Sequence, residues 1–173
     1  GPSIWFDEWP GQLALKSIAC DPSKGRGGRI GAYSAIVRLG RDQEGTLWCE
    51  ADLSNTRPPE VIVEDCIQHQ FDFGADVFAF EVNMFQELLA TQIAQVSKRR
   101  GMMVPVKGYD NRVDKEVRIR RLGPYLARGA IRFKRDSPST RLLVDQLQGF
   151  PLKDVKKDGP DALEMALRAM IEL

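Results

Sequence analysis

Apolar and polar positions alternate along the chain in two periods, and Gly, Pro and Asp mark the breaks between them. Leu15 to Cys20 is a short apolar segment that stops at Asp21-Pro22, which reads as a strand followed by a turn. After a Gly/Arg-rich loop from Gly25 to Gly31, Tyr33–Leu39 and Thr46–Asp52 read as strands joined by a turn at Asp42–Gly45. The first three elements therefore form an antiparallel meander. Pro58-Pro59 opens a helix whose Ile62, Val63, Cys66, Ile67 and Phe71 follow helical spacing. Asp76–Phe80 has the unbroken apolar character of a buried strand and runs straight into Glu81. Asn83 is placed to cap the next helix, where Phe85, Leu88, Leu89, Ile93 and Val96 share a face as far as Arg100-Gly101. A short strand at Met103–Val106, a charged helix at Lys115–Leu122, a strand at Ile131–Phe133 and a helix at Ser139–Leu147 follow. The last helix starts near Asp158 and buries Leu163, Ala166, Leu167 and Met170. The order βββαβαβαβαα predicts an α/β domain with a mixed sheet.

Composition narrows this picture. A chain of 173 residues with 43% hydrophobic and 28% charged residues fits one globular domain with a real core. No apolar run approaches the roughly 20 residues of a membrane helix, and no signal peptide is visible, so a transmembrane protein is ruled out and no membrane partner is expected. The three cysteines, Cys20, Cys49 and Cys66, are too widely spaced for a zinc site or a disulfide framework and fit a reducing compartment. Gly1-Pro2-Ser3 reads as a protease-cleavage scar. Residues 1–14 are accordingly expected to be scar and linker remnant, with residues 15–173 a domain taken from a longer protein.

The net charge of +1 hides an asymmetry. Lys98–Arg135 holds thirteen Lys/Arg against three Asp/Glu, and the rest of the chain twelve against twenty-one. A basic block on an otherwise acidic chain points to a polyanion partner, although a solvated Arg-rich face has the same composition.

Four carboxylates stand where solvated surface residues do not belong. Asp21 and Glu81 end apolar strands, and Asp158 and Asp161 lie three apart on one face of a helix start. Each has an ordinary alternative: an Asp-Pro turn for Asp21, a dipole-favoured helix-start acid for Glu81, and an N-cap with a first-turn acid for the pair. Gathered together they repel unless a counter-charge is present. An all-oxygen set without His or Cys suits Mg²⁺ or Mn²⁺, and two such ions are a recurrent device for attack of water on a phosphodiester. The basic block would hold the phosphate backbone beside them.

In this order the residues resemble the ribonuclease H-like superfamily, and Asp158 with Asp161-Ala162-Leu163 is similar to the ending of bacterial Holliday-junction resolvases. The chain from about Ser17 to Met170 more closely resembles the C-terminal nuclease domain of tailed-phage terminase large subunits. Five stretches in order carry the likeness: Ala19–Gly25, Gly31–Val37, Phe80–Gln86, Asp114–Ile119 and Lys157–Leu163. The resemblance implies an α/β ribonuclease H-like nuclease domain, with a mixed sheet flanked by helices. It implies an endonuclease that cuts concatemeric viral double-stranded DNA during genome packaging in the host cytoplasm, by two-metal-ion hydrolysis. Asp21, Glu81, Asp158 and Asp161 would hold two Mg²⁺ or Mn²⁺ ions, with Asp21 bridging them. It also implies partners in the full protein: an N-terminal packaging ATPase domain, a portal protein and a small terminase subunit. This chain has no P-loop, so ATP is not expected as its cofactor. Two positions depart from the family pattern. Ala32 stands where an Asp is common, and Lys157-Asp158-Gly159 where His-Asp-Asp is common; both remove an acidic or metal-capable group near the site.

Candidates for phosphate contact are Lys24, Arg26 and Arg29 in the Gly-rich loop, and Lys107, Arg112, Lys115, Arg118 and Arg121 in the basic block, with Lys98, Arg99, Arg100 and Arg120 beside them. The alternative for the helical cations is pairing with nearby acids. His69 reads as a solvated helix-end residue, Trp48 and Phe150 as packing residues, and Met102-Met103 as strand and core. Two other functions remain open: a resolvase-like nuclease acting on branched DNA, and an inactive ribonuclease H-like module that only binds DNA or a partner.

Overall fold

The computed structural model describes residues 3–24, 30–84, 90–152 and 156–173, of which the side chains of 23, 24, 30–32 and 84 lie outside the description. The central element is β2 (Leu15–Lys24), which pairs antiparallel with β3 (Ile30–Arg41); β3 in turn pairs antiparallel with β4 (Leu47–Ser54). The β3–β4 turn is built on Asp42, whose carboxylate accepts the backbone N–H groups of Glu44 and Thr46 and the Trp48 indole N–H. Gly45 there takes a positive φ of 89°, which other residues adopt only with strain.

The remaining strands add in parallel. β5 (Val77–Glu81) lies beside β2 and β6 (Val106–Tyr109) beside β5; on the other edge β7 (Ile131–Lys134) lies beside β4 and β1 (Trp5–Phe6) beside β7. The seven strands run in the order β1-β7-β4-β3-β2-β5-β6. The segment expected to be irregular lead-in thus contains an edge strand with Phe6 buried. Helix α1 (Pro59–Phe73) packs on one face with the short α2 (Val82–Met84) and α3 (Ala90–Arg100) following β5. Asn83 falls inside α2 and does not cap a helix, and Phe85, Leu88 and Leu89 lie outside the described residues. The expected charged helix at Lys115–Leu122 is α4 (Lys115–Arg120), a short α5 (Gly123–Ala127) that was not expected follows it, and α6 (Pro138–Gly149) and α7 (Asp158–Ile171) cover the other face.

Two cores result, one on each side of the sheet. Ile18, Cys20, Ile36, Phe78 and Phe80 pack with α1 and Ile93, whereas Ala19, Ala35, Val37, Val77 and Ala79 pack with α6 and α7. The α7 side is lined with small residues. Ala162, Ala166 and Ala169 on the helix face Ser17, Ala19 and Ala79 on the strands, and the Ser17 hydroxyl donates to the Ala166 carbonyl at 2.8 Å. Small side chains let backbones approach, and this closeness brings the start of α7 against the end of β2. Among the described residues no helix is long and apolar enough to cross a membrane.

Candidate active site

Alternation along β2 fixes where Asp21 points. Ser17 and Ala19 face α7, so Asp21 does too, and it lies inside the strand, paired with Ala35, rather than at its end. On β5, Val77 and Ala79 face the same side, and Glu81 continues their series. Ala19 is level with Ala79 at the end of the β2–β5 pairing, and Glu81 lies two residues beyond on β5, where it pairs with Tyr109 of β6. Helix α7 brings Asp158 and Asp161, both buried. Lys157 takes the N-cap position without a side-chain cap, which leaves both aspartates free to turn toward β2.

The counter-charge that such a group requires comes from α4. The Lys115 ammonium stands 3.5 Å from Asp21 Oδ2, 3.2 Å from Asp158 Oδ1 and 3.7 Å from Asp161 Oδ2. Arg118, buried one turn on, donates from Nη1 to Asp161 Oδ1 at 2.6 Å and from Nε to the Val113 carbonyl. The pairing continues along the helices with Arg121 at 3.9 Å from Glu164, which also binds Arg168 at 3.0 Å. Lys157 meets Glu116 at 2.7 Å. Cations at 115, 118 and 121 thus answer acids at 158, 161 and 164 with the same spacing of three.

Electrostatics follow from burial. Desolvation pushes the Asp21 carboxyl well above the usual carboxylate range; Lys115 pulls the other way, and Asp161 and Asp158 add to the rise. Burial opposes the charge on Lys115, but Asp21, Asp161 and Asp158 outweigh it and hold the ammonium protonated beyond its ordinary range. Glu164 is raised by burial against the pull of Arg168 and Arg121. Tyr33 closes the site from β3: its hydroxyl accepts from Gln146 Nε2 at 3.0 Å, and its ring lies under Lys156.

Among the described residues no group of three or more His, Cys, Asp or Glu is set to enclose a metal ion as the side chains stand. The position toward which Asp21, Asp158 and Asp161 converge carries a cation nonetheless, the ammonium of Lys115. The donors are all carboxylate oxygens, the chemistry Mg²⁺ and Mn²⁺ prefer, so the residues fit a hard divalent cation in kind.

Other sequence candidates divide differently. Arg26 and Arg29 lie outside the described residues, and Lys24 is described only as backbone. Lys107 on the edge strand β6 and Arg112 are exposed, and Arg121 is half exposed. Lys115 and Arg118, read as phosphate contacts, are engaged with the carboxylates instead. The complementary spacing of three on α4 and α7 is the signal that would have revealed this. His69 is not a solvated helix-end residue: Arg38 Nε donates to its Nδ1 at 2.8 Å and its Nε2 lies 2.7 Å from Asp52 Oδ2, far from the acids on the opposite face of the sheet. Met103, expected in the core, is 82% exposed.

A mixed sheet of this order, with a three-strand antiparallel meander, parallel additions on both edges and the acidic group at β2, β5 and the last helix, is a ribonuclease H-like fold. No family model and no curated protein sequence matches the chain. Among solved structures it is similar to the HK97 bacteriophage large terminase, with a TM-score of 0.64 at 12% identity over 95% of this chain and 41% of that one. It is also similar to the yeast mitochondrial Holliday junction resolvase Ydc2, with a TM-score of 0.52 at 12% identity over 92% of this chain and 80% of that one. The chain spans less than half the length of the terminase.

Proposed function

We propose that the chain is a divalent-metal-dependent DNA endonuclease of the terminase type. The observation that carries this reading is the convergence of Asp21, Asp158 and Asp161 on one cationic centre. A binding module has no reason to assemble buried carboxylates at such electrostatic cost. Asp21, Glu81 and Asp158 would hold Mg²⁺ or Mn²⁺, and bound metal supplies an activated water and charge stabilisation for phosphodiester hydrolysis. The chain's own residues position this chemistry. Arg118 locks Asp161, α4 closes the acids off from bulk water on one side, and the small-residue contact between α7 and β2 fixes the spacing of the carboxylates. Double-stranded DNA is the substrate, held by phosphate contacts from Lys107 and Arg112 and from the Lys24, Arg26 and Arg29 segment. In the whole protein the domain works beside a packaging ATPase domain, with a portal protein and a small terminase subunit as partners, on concatemeric viral DNA in the host cytoplasm.

The test is cleavage of supercoiled plasmid with Mg²⁺ or Mn²⁺, with EDTA and Asp21→Asn protein as controls. Metal-dependent nicking and linearisation, reduced at least a hundredfold in Asp21→Asn, is the expected result. Equal cutting by the variant overturns the site. Because the chain also covers most of a resolvase, a four-way junction is included as substrate; strong preference for it over linear duplex assigns the domain to the resolvase type instead.

A further inference from the structure

The three acids around the Lys115 ammonium are not held alike. For Asp21 and Asp158 the one ion-pair partner among the described residues is Lys115, a side chain that is itself 35% exposed. Asp161 has both oxygens taken: Oδ1 accepts from Arg118 Nη1 at 2.6 Å, and Oδ2 lies 3.7 Å from Lys115. Arg118 is as buried as Asp161, and its Nε donates to the Val113 carbonyl at 3.0 Å, which fixes the plane of the guanidinium. Among the described residues this is the one ion pair between α4 and α7 with both partners buried; Arg121 and Glu164 stand 3.9 Å apart, with Arg121 half exposed. Helix α4 has six residues, too few to hold together alone, so its place depends on what it meets. Ile119 and, just past the helix end, Leu122 are buried. The first turn, which carries Lys115, has no buried apolar side chain, since Val117 is exposed.

We propose that Asp161 is a positioning residue and not a reacting one: with Arg118 it docks the first turn of α4 on α7, and the docked turn holds the Lys115 ammonium between Asp21 and Asp158. This rests on the nuclease reading above and divides the work among its acids. Lys115 and Arg118 share a helix face one turn apart, so the contact that fixes Arg118 also fixes the direction from which the Lys115 side chain extends. Asp114 closes the same turn by accepting the Glu116 N–H at 2.8 Å. The chemistry of the pair suits a dock. Each of the two buried charges is compensated by the other, so removing one alone strands its partner, whereas neutralising both leaves nothing unpaired.

The experiment compares Asp161→Asn, Arg118→Gln and the two together, with Asp158→Asn and Asp158→Asn/Arg118→Gln as the matching set. Plasmid cleavage, melting in EDTA and hydrogen exchange of the amides of residues 115–120 are followed in each. Asp161→Asn is expected to melt lower, to lose protection across α4 and to cleave roughly a hundredfold more slowly, the usual result of misplacing a group by about 1 Å. Adding Arg118→Gln removes the stranded charge, restores protection and raises cleavage by about tenfold over Asp161→Asn. In the Asp158 set the second change brings no recovery. A paired variant that regains melting and protection but cleaves no better than Asp161→Asn shows that Asp161 reacts, which overturns the inference and leaves the nuclease reading standing. Full protection of α4 in Asp161→Asn overturns the docking. A wild type that does not cleave overturns the nuclease reading, and hydrogen exchange then decides the docking by itself. Should Asp161→Asn not fold, Arg118→Lys, which keeps the charge and loses the anchor on Val113, takes its place. Its kcat on a linear duplex is expected to fall with KM held, and a raised KM at unchanged kcat overturns the inference.

Discussion

The ionised state of Asp21 that metal binding would need is the one the fold resists. Its carboxyl is raised by burial beyond what Lys115 offsets, so ionising it costs the folded state more than the unfolded chain, where the group titrates near about 3.9. The sign follows from proton linkage. Between the unfolded and the raised folded pKa the native state binds the extra proton, so stability falls as pH rises through that window and the loss is complete above it. Asn has no proton to lose. Asp21→Asn in EDTA is therefore expected to melt higher than wild type at neutral pH, with the difference shrinking on acidification, measured by melting temperature against pH. A variant that melts lower at every pH would show that the contact with Lys115 outweighs burial. Set beside the cleavage test, this one substitution separates activity from stability, because a dead but firmer protein is not a misfolded one.

At the level of elements, the approach of α7 to its neighbours decides both the site and one departure from the family pattern. A Cβ placed on Gly159 would stand 2.5 Å from Gln146 Oε1 and 2.9 Å from Leu143 Cδ1, both on α6. Leu143 is fully buried and Gln146 is tied to the Tyr33 hydroxyl, so neither yields freely. An acidic residue at 159 has no room in this packing. Gly159→Ala is expected to destabilise the domain by roughly 1–3 kcal/mol, the ordinary cost of overpacking, as read by denaturant unfolding. The elements themselves were largely legible, because α1, α6, α7 and the meander carry long periodic patterns. What escaped was set by partners remote in sequence. β2 continues through Asp21 and Pro22 because β3 pairs with it there; β5 pairs only as far as Ala19, so a residue without an N–H is tolerated beyond that point. β6 lies at Val106–Tyr109, not at the apolar Met103–Val106, because register with β5 decides its place. β1 has two residues, too few for any period. Asp21, Asp158 and Asp161, singled out because they interrupt the apolar pattern or open a helix, do meet around one ammonium. The cation among them was not legible, since Lys115 looks like any surface lysine until α4 is laid against α7.

The whole molecule divides what the sequence presented as one basic block. Residues 98–135 cross from β6 at one edge of the sheet to β7 near the other, with four strands between them. On the β6 side, Lys107 and Arg112 are exposed, and Arg112 meets the surface carboxylate of Asp110 at 3.0 Å, a pairing of little worth in water. On the β7 side the cations bind the N-terminal segment: Arg132 donates to the Ser3 carbonyl, Lys134 to the Asp7 carbonyl at 2.6 Å, and Arg135 to the Asp7 carboxylate at 2.8 Å. These charges hold β1 in place at the edge opposite β6, whereas the proposed duplex would be seated by Asp21. Removing one phosphate-binding cation beside the acids reduces the counterions released on binding by about one, and the salt dependence falls with it. Arg112→Ala is expected to weaken duplex binding and to flatten the slope of log K against log salt by about 1. Arg135→Ala should leave the slope unchanged while loosening the β1 edge. Fluorescence anisotropy in EDTA, where no cleavage intervenes, reads both. Equal flattening by the two variants would mean that DNA spans the full sheet and that the β7 cations leave Asp7 to meet it, and the proposed seat beside β6 would have to be abandoned.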